Sequence, residues 1–375
     1  MKVLFFNDTR IETNPGCHAT VTELSKFVTK HLPSSQIEFK PLGTEYGIFK
    51  HGLYKQSNKL LLKVLRKFKV LKNRKVIDLK LWEQCALQNI SEETKNSIKR
   101  ADLVLINMEG TIHHNSMGGL TLLAIGYYSK HIGKVVALVN GSYQEMHDEI
   151  TKKVMGVVDF ISVRETSSYN YLKSKNIDVS IIPDFAFRAN INQNDDFNKN
   201  ILLEQGNPPE KKCLYTVGVL GVYPNQKDGI SLLSIKKQIN DIKALGFQPY
   251  YLKIEEKEIQ IASELNKIGV QTISYEDGVD YQNIGNLINH FDVLITGRYH
   301  IGIFGLMNYV PTFFLKSNTY KIEGLLAMLG LKELAIVDND IRKIKLDRIN
   351  ENYQLPNDKS FLEFRNFLEN LSNKN

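Results

Sequence analysis

The sequence predicts an α/β protein of two Rossmann-like domains, each a parallel sheet wrapped by helices, facing one another across a cleft. Three observations lead there. Short apolar runs alternate with longer amphipathic stretches along most of the chain, which is the pattern of strands joined by crossover helices. The rhythm breaks between Asp184 and Lys212, where Asn, Asp, Gln and the pair Pro208-Pro209 replace apolar periodicity. The chain has 375 residues, and at about 100–200 residues per domain that length accommodates two.

In order, Val3–Phe6 reads as the first buried strand, followed by a turn containing Gly16 and a helix over about 18–30. Apolar runs at Leu103–Ile106, Val135–Val139, Phe160–Val163 and Val179–Ile182 give further strands, with room between them for crossover helices. After the break, strands are expected at Leu214–Leu220, Pro249–Lys253, Val270–Ile273, Val293–Thr296 and Thr312–Leu315. Helices at Ser231–Leu245 and Ile259–Ile268 end at Gly246 and Gly269, whose permissive backbone suits a C-cap. The expected division is a first domain over 1–190, a linker over 191–212, a second domain over 213–345 and a helical tail over 346–375. In such sheets ligands bind outside the carboxyl ends of the strands, so the loops there carry the search for function.

Composition narrows the class. A chain 42% hydrophobic and 24% charged has enough apolar material for more than one core, which excludes disorder and a collagen repeat. A formal charge of +7 is compatible with an anionic substrate, a lipid surface or nucleic acid. No nucleic-acid motif accompanies that charge, so a nucleic-acid partner is not expected. Cys17, Cys85 and Cys213 form no C-x-x-C pair, which argues against a disulfide scaffold or structural zinc and for a reducing cytoplasm. The N-terminus turns polar too early for a signal peptide, and no apolar run is long enough to span a bilayer.

Residues 55–75 stand apart, with nine Lys or Arg, no acid, and Leu61, Leu65, Phe68 and Leu71 at helical spacing. A basic amphipathic helix of this kind suits peripheral contact with an anionic membrane or a polyanion. A solvated helix packed on its own domain fits the same pattern equally well.

The first βα junction, Asn14-Pro15-Gly16-Cys17-His18-Ala19-Thr20, has no G-x-G-x-x-G, which argues against an ordinary dinucleotide-binding fingerprint. Gly16 lets a ligand approach the backbone where helix amides point outward. Cys17 reads either as a thiolate favoured by the helix N-terminus or as a small residue packed under a turn, the second being preferred because cysteine is commonly buried. Further on, a strand runs into Glu109 and Gly110, with His113 and His114 just beyond. This carboxylate and two imidazoles suit acid/base work or the orientation of sugar hydroxyls, while the plainer role of Glu109 is a helix cap. No H-E-x-x-H helix or three-ligand set accompanies the histidines, so no metal is expected.

Asn140, Arg164 and Asp184 each follow a strand. Arg164 presents a guanidinium suited to bidentate binding of carboxylate or phosphate, or else pairs with a nearby acid such as Glu165. Asp184 more often anchors a turn than acts as a base. The strongest local pattern is Val293 to Gly305, where a strand breaks at Gly297, presents Arg298 and His300, and enters a helix. Both side chains and the free amides are expected to converge on one anion site, where His300 protonates a leaving phosphate or donates to a carboxylate. Lys321 closes the loop Ser317–Lys321 and adds positive charge there, the loop hydroxyls being expected as N-caps.

Taken in order, Asn14–Thr20, Glu109–His113, Arg164–Glu165, Pro183–Phe187 and Gly297–His300 resemble the spaced motifs of the polysaccharide pyruvyl transferase family. The resemblance covers most of the chain. It implies a fold like that of the two-domain GT-B glycosyltransferases and transfer of pyruvate from phosphoenolpyruvate to a sugar of a cell-surface glycan precursor, as a ketal. Phosphoenolpyruvate is then a co-substrate and no cofactor is needed. By the same resemblance Arg164, Arg298 and His300 hold the donor, with Glu109 and His113 nearer the acceptor. The strand-end positions read above add Gly297 and Lys321 on the donor side and Asn14, Gly16, His114, Asn140 and Asp184 on the acceptor side, and His300, Glu109 and Arg298 are the catalytic candidates.

Two other functions fit the same cleft. One is a GT-B glycosyltransferase using a nucleotide-activated sugar, and the other a non-catalytic glycan-binding relative. With a glycan or lipid-linked sugar as acceptor, the expected location is the cytoplasm, at the inner face of the membrane.

Overall fold

The structure, a computed structural model, describes residues 1–12, 14–45, 47–49, 77–192, 211–223, 229–275, 281–344 and 353–373. The basic segment 55–75 and most of the expected linker lie outside the described residues.

The first sheet contains β1 (Lys2–Phe6), β2 (Gln36–Lys40), β3 (Leu103–His113), β4 (Val135–Gln144), β5 (Phe160–Val163) and β6 (Ser180–Ile181), in the order β2-β1-β3-β4-β5-β6. Every neighbouring pair is parallel. Its connections include α1 (Pro15–His31), α2 (Leu79–Gln88), α3 (Glu92–Arg100), α4 (Met117–His131), α5 (Asp148–Met155) and α6 (Thr166–Lys173). The apolar runs of β1, β3 and β4 are buried on both faces, as a sheet covered by helices on each side requires. β2 was not expected. Its sequence, Gln-Ile-Glu-Phe-Lys, alternates polar and apolar side chains at the sheet edge, where only Lys40 is buried, so no continuous apolar run marks it.

The second sheet contains β7 (Lys211–Thr216), β8 (Phe247–Lys253), β9 (Gln271–Ser274), β10 (Val293–Thr296) and β11 (Thr312–Phe314), ordered β11-β10-β7-β8-β9 and again parallel. Its helices are α7 (Val219–Val222), α8 (Leu232–Ala244), α9 (Ile259–Asn266), α10 (Ile284–Ile288), α11 (Tyr299–Met307) and α12 (Lys321–Leu329). The strand expected over Leu214–Leu220 is shorter than its apolar run. Gly218 packs so closely on Gly297 that a side chain at either position would overlap the other's backbone, and after this contact the chain turns into α7. Gly246 and Gly269, with φ of 85° and 75°, follow α8 and α9 in the left-handed conformation that favours glycine.

Two strands outrun their expected ends. β3 and β4 continue pairing through Glu109 and Gly141 as far as His113 and Gln144, with an irregular register between Glu109 and Ile112. Glu109 and Asn140 therefore lie inside extended strands, and the bulge re-aims the backbone beside them.

The tail also has a specific place. Its helix α13 (Leu362–Ser372) returns to the first sheet, where Phe361, Phe364 and Leu368 share a core with Phe5, Val21, Leu24, Phe27, Leu105 and Phe185. The Phe364 ring stacks on Phe27 and lies near Phe160, Phe185 and Phe367. Among the described residues no helix is long and apolar enough to cross a membrane. Phe364 is completely buried, so Phe364→Ala is expected to cost roughly 3–5 kcal/mol of stability. A urea titration checks this, with Asp358→Ala, at an exposed ion pair with Arg188, as the nearly neutral control.

Candidate functional site

The first sheet ends in a ladder of buried asparagines. Asn7 Nδ2 donates to the Asn107 carbonyl at 2.7 Å, and Asn140 Nδ2 donates to Asn107 Oδ1 at 3.2 Å. Asn7 and Asn140 have φ of 68° and 58°, a conformation asparagine tolerates better than most residues. These bonds fix three adjacent strand ends, β1, β3 and β4. Asn140 thus supports the floor of the cleft instead of facing an acceptor as expected, because its amide is committed to Asn107 and its carbonyl oxygen accepts from the Phe185 N–H at 3.4 Å.

Above that floor, charges meet across the two domains. Arg164, just after β5, donates through Nη1 to Asp184 Oδ2 at 2.6 Å and through Nε to Ser142 Oγ at 3.0 Å. Its guanidinium lies over the Tyr299 ring, 4.5 Å from the centroid. Asp184 also accepts from Thr20 Oγ1 at 2.8 Å and from the Ala186 N–H at 2.8 Å, where it caps a short turn. From the second domain His300 brings Nε2 to 3.3 Å from Asp184 Oδ2 and 3.4 Å from Thr20 Oγ1. Burial works to raise the Asp184 carboxyl, but Arg164 and His300 outweigh it and hold it well below the usual range. Burial likewise opposes the charge on Arg164, and Asp184 more than compensates.

Gly16 explains how His300 reaches this position. A methyl group on Gly16 would overlap the His300 side chain, so the first turn of α1 needs glycine where the domains meet. Asn14 caps α1, accepting from the Gly16 N–H at 2.9 Å.

Glu109 has φ of 41°, an unusual backbone for a glutamate and a strain of the kind that accompanies functional positions. It accepts from Thr9 Oγ1 at 2.8 Å, and Cys17 Sγ lies 3.7 Å from its other oxygen. Burial raises its carboxyl, while His300 and Arg164 oppose the rise. Cys17 is not activated by the helix N-terminus. Burial and the nearby Glu109 and Glu12 push its thiol well above the ordinary value, which leaves it protonated and packed.

The two histidines divide. His113 is pushed down to about 4 by burial, His114 and Lys321, so it is neutral near pH 7. Its Nδ1 lies 3.0 Å from His114 Nδ1, while His114 is largely exposed and turns toward Glu145 at 3.8 Å.

Arg298 and His300 take different partners. Arg298 donates to Glu255 at 2.9 Å and to Glu258, which also accepts from the Tyr251 hydroxyl at 2.6 Å. Two carboxylates thus hold the guanidinium, whereas His300 meets Asp184 and Thr20, and the Arg298 N–H donates to Thr296 Oγ1 at 2.9 Å. Gly297 serves the contact with Gly218 described above. Lys321 reaches the cleft from α12: a methyl group on Gly110 would lie 3.8 Å from its Nζ and 3.4 Å from Arg164 Nη2.

Sequence reasoning gave no role to Thr9, nor to Thr20, Ser142 and Tyr299 within the segments it singled out, because these side chains acquire roles only when distant strand ends meet. Glu165 was singled out with Arg164 but caps α6 instead of pairing with it. Burial raises its carboxyl to about 7, and a side chain on Gly324 of α12 would overlap it.

A family model described as polysaccharide pyruvyl transferase matches residues 32–319. Comparison with curated protein sequences finds no match. Among solved structures, UDP-GlcNAc 2-epimerase of Methanocaldococcus jannaschii, in complex with UDP-GlcNAc and UDP, is similar at a TM-score of 0.57 and 15% identity, over 98% of this chain and 99% of that one. The Neisseria meningitidis UDP-GlcNAc 2-epimerase bound to UDP-GlcNAc gives 0.51 and 12%, over 100% and 94%. The S. aureus MnaA–UDP structure gives 0.52 and 14%, over 93% and 90%. At these identities the likeness establishes a shared two-domain α/β fold of GT-B type and nothing about substrate.

Asp184→Asn leaves Arg164 buried without its counter-charge and is expected to cost roughly 3–5 kcal/mol. Because the folded Asp184 carboxyl lies below its unfolded value of about 3.9, its contribution is complete at neutral pH and is lost as pH falls toward the folded value. Urea titrations of wild type and variant should therefore differ most near pH 7 and draw together below about pH 4.

Proposed function

The chain belongs to the polysaccharide pyruvyl transferase family, and from that premise we propose that it transfers pyruvate from phosphoenolpyruvate to a sugar of a cell-surface glycan precursor, as a ketal. One observation carries the proposal at the level of the site. His300 from one domain meets the Arg164–Asp184 pair and lies near Glu109 from the other, so an imidazole, a guanidinium and a carboxyl of different environments share one cleft.

The chemistry balances without an oxidant or reductant. A proton adds to the methylene carbon of the donor while an acceptor hydroxyl attacks the adjacent carbon. The bond from that carbon to the phosphate oxygen then breaks and phosphate departs. A second hydroxyl of the sugar closes the ketal and releases its proton. His300, held by Asp184 and Thr20, is the group assigned to deliver the first proton. Glu109 orients the acceptor and takes the hydroxyl proton, a task consistent with a buried carboxyl whose affinity for protons is raised. Arg164 keeps Nη2 beside Gly110 for a donor oxyanion. Arg298, committed to Glu255 and Glu258, is a positioning residue for the loop that carries His300. None of these steps requires a metal.

A lipid-linked acceptor at the cytoplasmic membrane face is the finer proposal, supported by the basic composition of residues 55–75.

Three outcomes are expected. Purified protein given phosphoenolpyruvate and a glycan acceptor should release phosphate in the presence of a chelator, and His300→Ala should lower turnover by about 10²–10⁴-fold. Release of nucleotide from a nucleotide sugar, with no phosphate from phosphoenolpyruvate, would replace this function with glycosyl transfer. Co-sedimentation with anionic vesicles should weaken as salt rises and when Lys63, Arg66, Lys67 and Lys69 become Gln; unchanged sedimentation would remove the membrane contact.

A further inference from the structure

We propose that Glu165 is a proton-dependent latch between the two domains: with its carboxyl protonated α12 closes on α6 and assembles the cleft, and with the carboxyl ionised that contact loosens. The latch does not depend on which donor the cleft takes.

Its place in the fold comes first. Glu165 is completely buried. It caps α6 of the first domain, accepting from the Ser168 N–H at 3.0 Å and from the Ser168 hydroxyl. The Ser168 oxygen accepts in turn from the Tyr143 N–H at 2.6 Å. All of these groups belong to the first domain. The second domain brings Gly324 of α12, where a methyl group would overlap Glu165 Oε2 and lie 3.0 Å from Ser167 Oγ. The Gly324 N–H is spent inside the helix, on the Tyr320 carbonyl at 2.8 Å. What α12 sets against the carboxyl is thus the bare backbone of a glycine.

The start of α12 is tied to the same corner. The loop hydroxyls expected as N-caps do not serve, because the residue at the cap position is Tyr320 and no side chain caps the helix. Tyr320 instead reaches into the first domain, its N–H donating to Gln144 and its hydroxyl to the Tyr143 carbonyl. Through Tyr143 and Ser168, Glu165 and the first turn of α12 share one small polar network.

Charge decides what this corner tolerates. The charged and titratable groups facing Glu165 are Arg164 beside it, Tyr299 of α11 and Tyr320 at the start of α12. Arg164 is bound to Asp184, and among the described residues no Lys, Arg or His nitrogen lies at ion-pair distance from Glu165. Burial, with a smaller push from Glu165, raises both tyrosines, so they stay neutral. A carboxylate shut in by α12 is therefore a buried charge without a counter-ion of its own, which is unfavourable. Burial accordingly brings its carboxyl up to about 7, against the Ser168 and Ser167 hydrogen bonds and Arg164. A glutamate in water titrates near about 4.3, so closing α12 over Glu165 takes up a proton. Closure is favoured in acid and loses that favour as pH rises from about 4.3 through about 7. The cleft follows the latch, because Tyr299 and His300 share a domain with α12 and their contacts with Arg164 and Asp184 cross the same boundary.

Small-angle X-ray scattering of the full chain, from about pH 5 to about pH 8.5, tests the latch without reference to activity. Wild type is expected to be compact at the acid end, to expand as pH rises to about 7 and to change little beyond it. Glu165→Gln, the neutral stand-in of the same shape, should stay compact throughout. Glu165→Asp still caps α6 but withdraws its carboxyl from Gly324 by one methylene, so it should expand less than wild type. In parallel kinetics of pyruvyl transfer, kcat/KM of Glu165→Gln relative to wild type should rise from near one at about pH 5 to roughly tenfold to a hundredfold above about pH 7. Whatever His300 contributes cancels in that ratio, and a merely structural Glu165 would leave it flat. Wild type that keeps one scattering profile across the range, or Glu165→Gln that expands as wild type does, would overturn the latch. Expansion abolished by Glu165→Gln, in a protein that does not consume phosphoenolpyruvate, would uphold the latch and overturn the donor.

Discussion

A guanidinium and a carboxylate buried together, Arg164 and Asp184, determine where the rest of the cleft is placed. They follow neighbouring strands, β5 and β6, and neither is more than 2% exposed. Such a pair contributes little net stability, because desolvation offsets much of the attraction. Its influence is geometric. Asp184 spreads its oxygens over Arg164, Thr20, the Ala186 amide and His300, so one carboxylate sets the positions of α1, the turn after β6 and the start of α11. With Arg164 also held by Ser142 and stacked on Tyr299, its remaining edge is fixed toward Gly110.

The domains meet where side chains are missing. Gly16 receives His300, and Gly324 receives Glu165. Beside the second contact the Tyr320 N–H donates to Gln144 Oε1 at 3.1 Å, and the Tyr320 hydroxyl donates to the Tyr143 carbonyl. Tyr281 adds a hydrogen bond to Glu23 of α1 at 3.1 Å. Close packing tolerates little change in volume, so these glycines set the separation of the two halves of the site. Glu165 belongs to this contact more than to catalysis, although its raised carboxyl alone would mark it as a candidate base.

Much of this was legible in the sequence, for reasons specific to each element. Buried parallel strands are continuous apolar runs, so Phe160–Val163 and Val293–Thr296 were readable to the residue. β2 was invisible because an edge strand half exposed to solvent has no such run. The strand ends carrying Glu109, Arg164, Asp184 and His300 were found because ligands gather there in this class of sheet. What could not be read was partnership. Nothing near Arg298 in the chain announces Glu255 and Glu258, about forty positions earlier, and nothing in an Arg-Tyr-His sequence says that the first and third side chains part company. Thr319 was read as a cap because local chemistry permits it; only the folded backbone reveals that the hydroxyl is left over.

The return of α13 to the first sheet bears on how the protein is made. The patch formed by Phe5, Phe27, Leu105 and Phe185 is encoded early, yet Phe361, Phe364 and Leu368 complete its cover from the far end of the second domain. During vectorial synthesis this domain therefore emerges with an apolar flank unsealed, and it stays so until the second domain has been translated. A nascent chain in that condition is a natural client for chaperones, and ribosome-bound fragments ending before residue 361 should remain more open to proteases than the finished protein.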